Sequence, residues 1–153
     1  MTNLSFKVKG VLSTAYSLIM GCTLCSAPIH ATEVSWISSI IDPALRNCVQ
    51  DTMNEQDWVN PEQITKLKCH SMDIQSLTGL DKANNLSYLS IYNNRLSSID
   101  INLFSFPKLQ TLNIARNNLN NVNLERLSQL ERLYVFDNGM EELSLSKLPN
   151  LQL

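Results

Sequence analysis

The stretch LSYLSIYNNRLSSIDI, from Leu86 to Ile101, returns as LQTLNIARNNLNNVNL from Leu109 to Leu124 and again as LERLYVFDNGMEELSL from Leu130 to Leu145. The copies follow one another at steps of 23 and 21 residues. A unit of this size cannot bury its own apolar face, so a chain built this way must stack its units side by side into one continuous core. That constraint comes before any search for catalytic or ligand-binding motifs.

The chain has 153 residues, room for one modest domain and a processing segment. Residues 1–31 read as a secretory signal peptide. Lys7 and Lys9 precede an uncharged apolar stretch from Val11 to Leu24, and Ile29-His30-Ala31 is an acceptable cleavage site before Thr32-Glu33. The alternative is a lipoprotein route, because Ile19-Met20-Gly21-Cys22 resembles a bacterial lipobox that would lipidate Cys22 and hold the chain at a membrane. Cleavage after Ala31 removes two lysines and no carboxylate, leaving 10 basic against 14 acidic residues, a formal net charge of −4. That balance argues against nucleic acid as partner, since affinity for phosphates comes chiefly from Lys and Arg.

Of four cysteines, cleavage leaves Cys48 and Cys69, and an even pair in an exported chain reads as a disulfide. Closing a loop of this length contributes roughly 3 kcal/mol on the chain-entropy estimate. No further Cys or His lies near Cys69-His70 to complete a closed zinc site, so no metal is expected there. Asp137, Asn138, Glu141 and Glu142 read as a solvated acidic edge rather than a calcium site. No cofactor is expected.

Aligned on their leucines, the units begin at Ile64, Leu86, Leu109 and Leu130, with a fifth starting at Leu151. Within each, apolar residues alternate over a short run: Leu67 and Cys69, Leu89 and Ile91, Leu112 and Ile114, Leu133 and Val135. A period of two predicts one short strand per unit with one buried face. Asn94, Asn117 and Asn138 follow the later strands, each two residues before Leu96, Leu119 or Met140. An amide among inward-facing leucines must be satisfied, because an unpaired one costs about 1 to 3 kcal/mol. Backbone groups of neighbouring turns are the expected partners, giving a structural Asn ladder.

This is the pattern LxxLxLxxNxLxxI, and on it the chain from Ile64 to Leu153 resembles the leucine-rich repeat proteins. The resemblance implies an α/β repeat fold: a short solenoid with one parallel strand per repeat. The first unit departs from it, with Met72 in place of Asn and Gly79 where later units carry Ile101 and Leu124. A first repeat meets a cap, and residues 32–63 supply one. Asp42-Pro43 is a helix start, and Leu45, Cys48, Val49 and Met53 mark one helical face that would cover the first strand. Trp58 is expected to be buried in this small helical cap, a surface anchor for a partner being the alternative. Residues 64–153 then hold four repeats and the start of a fifth, with no C-terminal cap. A helical cap leading into repeats of this length on an exported chain resembles the bacterial internalin-like group, which implies binding to other proteins through the array.

Strand alternation sends the non-leucine residues to the concave side. Lys68, His70, Tyr88, Tyr92, Asn113, Arg132, Tyr134 and Phe136 form the candidate binding surface, with Tyr92, Ala115 and Phe136 in one column. Stiffening of the sheet by stacked rings is the alternative use of those aromatics. Leu103, Phe104 and Phe106 are expected to fill the convex core. No enzyme is expected: His70 stands beside Ser71 and Asp73 in sequence, but alternation sends neighbours to opposite faces and a triad must converge.

Two functions follow. One is an exported module, secreted, periplasmic or on the cell surface, that recognises a protein through its concave face. The other is a structural piece of a longer array that self-associates through the apolar end carrying Leu143, Leu145 and Leu148. Four strands about 4.8 Å apart and five residues long make a strip of roughly 250 Å², against ~800 Å² per partner in a standard interface. A partner is therefore expected to use the edges or the cap as well.

Overall fold

A computed structural model of the chain describes residues 36–99, 105–125 and 127–152. The expected signal segment, residues 1–31 with Cys22, lies outside the described residues, as do Ile101, Leu103 and Phe104.

The first long element is helix α1, Pro43–Glu55. It starts where it does because Asp42 accepts hydrogen bonds from the Ala44 and Leu45 amides through Oδ1, at 2.9 and 3.0 Å, while Pro43 is preset for the first turn. Its buried face is Leu45, Cys48, Val49 and Met53. That face lies over the first strand, and a disulfide between Cys48 and Cys69 joins the two, with a Cα–Cα distance of 5.9 Å.

Four three-residue strands follow: β1 Lys66–Lys68, β2 Tyr88–Ser90, β3 Thr111–Asn113 and β4 Arg132–Tyr134. They form one parallel sheet in chain order, with Leu67, Leu89, Leu112 and Leu133 in register. The rungs continue beyond the strands. Ser71 N–H donates to Tyr92, Asn93 to Ala115 and Arg116 to Phe136, at 2.9 to 3.1 Å. The column His70, Tyr92, Ala115, Phe136 is thus held in register by backbone bonds on its outer side.

Inward residues of the first three repeats are sealed: Leu67, Cys69, Leu89, Ile91 and Ile114 have no exposed surface. Each such side chain contributes about 1.5 to 3 kcal/mol by leaving water. Leu133 and Val135 of the fourth repeat are only half-buried, packed against the core on one side. Phe106 fills the convex side and is buried with Leu127 and Leu148, its counterparts in the later repeats. The first return carries a single 3₁₀ turn, Leu80–Lys82, because units this short have no room for a full helix.

Asp42 also does something that its helix-start motif does not announce. Its Oδ2 accepts from the amides of Gln75 and Ser76, at 2.8 and 3.3 Å, 33 and 34 residues away. Burial pushes this carboxyl up, but the four backbone N–H donors outweigh it and hold the group below its ordinary value. One side chain therefore caps α1 and fastens it to the first repeat. Gly79 completes the joint. It sits at φ +94°, and an added Cβ would lie 2.3 Å from the Ser39 carbonyl oxygen and 2.6 Å from the Ile40 Cα. Only glycine allows that approach, which explains why the first repeat lacks the bulky residue found at the same place in the later ones.

Candidate functional site

The concave face is laid out by the parallel register. Reading along the first outward row, Lys66 is opposite Tyr88, then Thr111, then Arg132; along the second, Lys68, Ser90, Asn113 and Tyr134. The third row is His70, Tyr92, Ala115 and Phe136. Lys68, His70, Arg132, Tyr134 and Phe136 are exposed, and Tyr88, Tyr92 and Asn113 are half-buried. Tyr134 and Phe136 expose 43% and 53% of their surface, among the largest apolar exposures of the described residues. Rings so exposed are not held there by the core.

The centre of the face is quieter than the edges. Ser90 and Ala115 are fully buried and Thr111 nearly so, while Asn113 turns its Oδ1 inward to the Ala115 amide at 3.1 Å. The third row is therefore not a continuous aromatic stripe. Ala115 separates Tyr92 from Phe136, leaving two separate zones of larger outward side chains, one on β1 and β2 and one on β4.

In the first zone, the Lys66 and Lys68 ammonium groups stand 5.0 and 5.7 Å from the Tyr88 ring centroid, and His70 meets Tyr92 edge to face at 5.7 Å. The His70 Nε2 is 2.7 Å from the Ser90 hydroxyl. Burial and then the Lys68 charge hold the imidazole below its ordinary pKa, so it is neutral at pH 7. Ser71 and Asp73 are exposed and do not join it, and Asp73 pairs with Arg95 at 2.8 Å.

The Asn side chains close each bend after the strands. Asn94 accepts from the Met72 and Ile74 amides and donates to the Cys69 and Tyr92 carbonyls. Asn117 accepts from Leu96 and donates to Ile91, Ile114 and Ala115. Asn138 accepts from Leu119 and donates to Ile114 and Val135. Met72, in the first repeat, points outward with 42% of its surface exposed.

Two features of the site escape a reading of the repeats alone. First, the residue before each ladder position is left-handed: Ser71, Asn93, Arg116 and Asp137 all have φ between 54° and 57°. Asn and Asp tolerate this region, and their recurrence just before the ladder position is the signal that was available. Arg116 does not fit that preference, and is held by Asp137 at 3.1 Å and over the Tyr92 ring at 5.6 Å. Second, Trp58 is half-buried rather than sealed inside the cap. It packs on the core and also lines a cleft of about 300 Å³ with Thr52, Glu55, Gln56, Lys66 and Lys68. The helix end and the first strand leave this gap because the disulfide joins them one turn earlier, at Cys48.

Among the described residues there is no group of three or more His, Cys, Asp or Glu that could hold a metal ion, and no helix is long and apolar enough to cross a membrane.

Residues 84–140 match the leucine rich repeat family model. The fold is a leucine-rich repeat solenoid. Its likeness to solved structures agrees: the functional domain of InlJ from Listeria monocytogenes, which includes a cysteine ladder, superposes with a TM-score of 0.68 at 23% identity, over 76% of this chain and 27% of that one. An internalin, InlF, from Listeria monocytogenes gives 0.60 at 22% identity over 84% and 41%, and internalin C2 from the same species 0.50 at 20% over 76% and 65%. The chain thus spans roughly a quarter to two-fifths of the length of the first two. No curated protein matches the chain.

Proposed function

We propose that this leucine-rich repeat chain is an exported module that recognises another protein through its concave face, with Tyr134, Phe136 and Arg132 as one contact zone and Lys68, His70, Tyr88 and Tyr92 as the other. The observation that carries this is the exposure of two large rings, Tyr134 and Phe136, beside Arg132 on a sheet face that no part of the described structure covers. Tyr and Arg anchors of this kind dominate the energy of protein interfaces. Export is supported by the leader-like residues 1–31 and by the Cys48–Cys69 disulfide, a bond that persists in oxidising compartments. Among the described residues His70 is joined by neither Ser71 nor Asp73, and Asp73 pairs with Arg95 instead, which supports reading the module as one that binds.

The test is a photoreactive phenylalanine analogue at position 136 and, as control, at Asp51 on the exposed side of α1, irradiated among the proteins surrounding the producing cell. The expected result is a protein adduct from position 136 and none from 51. Tyr92→Ala with Phe136→Ala then lowers affinity for the recovered protein at least tenfold while melting is unchanged. No adduct specific to 136, or unchanged affinity, refutes the concave face.

A second reading, assembly through the fourth repeat, is favoured by one observation. Leu133, Val135, Met140, Leu143 and Leu145 are half-buried, whereas Leu112, Ile114 and Leu119, the counterparts of the first three one repeat earlier, are sealed. Self-association would cover them. Sedimentation of the full chain over a hundredfold range of concentration tests it: a rising mass supports assembly, and a constant monomer mass refutes it.

A further inference from the structure

The cleft between the end of α1 and β1 has a charge pattern that the rest of the surface lacks. Among the described residues, every other lysine and arginine pairs with a carboxylate within 4.0 Å or donates to an oxygen: Arg95 and Arg116 on aspartates, Lys147 on Glu125, Arg46 on the Ile40 carbonyl, Lys108 on Asn85. Lys66 and Lys68 have no such partner among them. Both ammonium groups rest on the ring of Tyr88 instead. They are side by side on the outward face of one strand, their Cα atoms about 6.6 Å apart, at the mouth of the cleft that Trp58 lines. Glu55 lines the same cleft without pairing with either lysine.

This concentration is opposite in sign to the chain as a whole, which is formally −2. The twelve outward positions of the four repeats hold Lys66, Lys68, Arg132 and the neutral His70, and no Asp or Glu. An ammonium has three donors, so one held over an aromatic face still offers N–H groups to an incoming anion, and two of them on one strand suit two carboxylates two residues apart in an extended segment. We propose that the cleft and the Lys66–Lys68 pair form an anchor site for an acidic segment of the partner protein, with Trp58 packing on its apolar stems. This rests on the concave-face reading above and extends the contact from the strands onto the cap, where the short sheet needs additional area.

The probe is a hexaglutamate peptide titrated into the ¹⁵N-labelled full chain at 50 mM salt. Expected are shifts centred on Lys66, Lys68 and the Trp58 indole, weakening at least tenfold at 300 mM salt and at least tenfold in the Lys66→Gln/Lys68→Gln variant. Both lysines are exposed, so that variant keeps its spectrum elsewhere. Lys147→Gln, which removes a cation paired with Glu125, keeps full binding and controls for net charge. Equal shifts from hexaglutamine, unchanged affinity in the double variant, or binding to anionic phosphatidylglycerol vesicles with none to the peptide each overturn the proposal. A peptide that fails to bind while the adduct at position 136 still forms overturns this inference and leaves the concave-face reading standing.

Discussion

Replacing Asn117 with Ala tests whether the bends of the array are held by side-chain amides. The wild-type amide has four partners, but they are not equally dependent on it. The Ile114 carbonyl keeps the Asn138 amide at 3.0 Å, and the Ala115 carbonyl keeps the Asn93 N–H at 3.0 Å. The Leu96 N–H and the Ile91 carbonyl lose the partner that Asn117 gives them, and both residues are fully buried. An orphaned buried group costs about 1 to 3 kcal/mol, so two, with partial relaxation, cost ~3 kcal/mol out of a total of about 5 to 15. Asn138→Ala orphans the Leu119 amide and the Val135 carbonyl, but Asn138 and Val135 are half-exposed and water replaces part of what is lost, leaving ~1 kcal/mol. Asn117→Asp keeps an acceptor for Leu96 while setting an anion against three carbonyl oxygens, and is at least as destabilising as Ala at pH 7. Urea unfolding followed by circular dichroism, with the disulfide intact, gives the midpoints and slopes. A loss below ~1 kcal/mol for Asn117→Ala, or an equal loss for Asn138→Ala, refutes the accounting.

Gly79→Ala forces a Cβ into the Ser39–Ile40 backbone at a positive φ and is expected to cost more than ~2 kcal/mol; a melting temperature within a degree of wild type contradicts it. Replacing both Cys48 and Cys69 with Ala opens a bridge between residues 21 apart and lowers stability by ~3 kcal/mol. The joint emission of Trp36 and Trp58, both in the cap, then reports the cap leaving the first strand before the sheet melts, and a single transition at the wild-type midpoint argues against that role. The His70 pKa is depressed, so the unfolded chain binds the proton more readily: the stability linked to it is present above the ordinary value and lost as pH falls through the folded one. An NMR titration of its ring should show a midpoint below 6.5 that moves up in Lys68→Gln, and an unmoved midpoint removes Lys68 as a cause.

The amino-acid sequence by itself determined the repeat, its strands and the helical start of the cap, because those depend on residues near one another. Leu89 and Ile91 share a face through backbone alternation alone, and Asp42-Pro43 caps a helix through contacts two and three residues away. The pairing of Cys48 with Cys69 was legible because the sequence holds no other cysteine outside the leader-like residues 1–31. Only the tertiary structure decided what depends on side chains brought together from different repeats. The second role of Asp42, the need for glycine at 79 and the left-handed strain at Arg116 all depend on neighbours 20 to 40 residues away. So does the cleft, where Trp58 meets Lys66 and Lys68 because a disulfide sets the helix against the strand. Periodicity reports which face a residue takes, and packing alone reports which charges on that face are left without a partner.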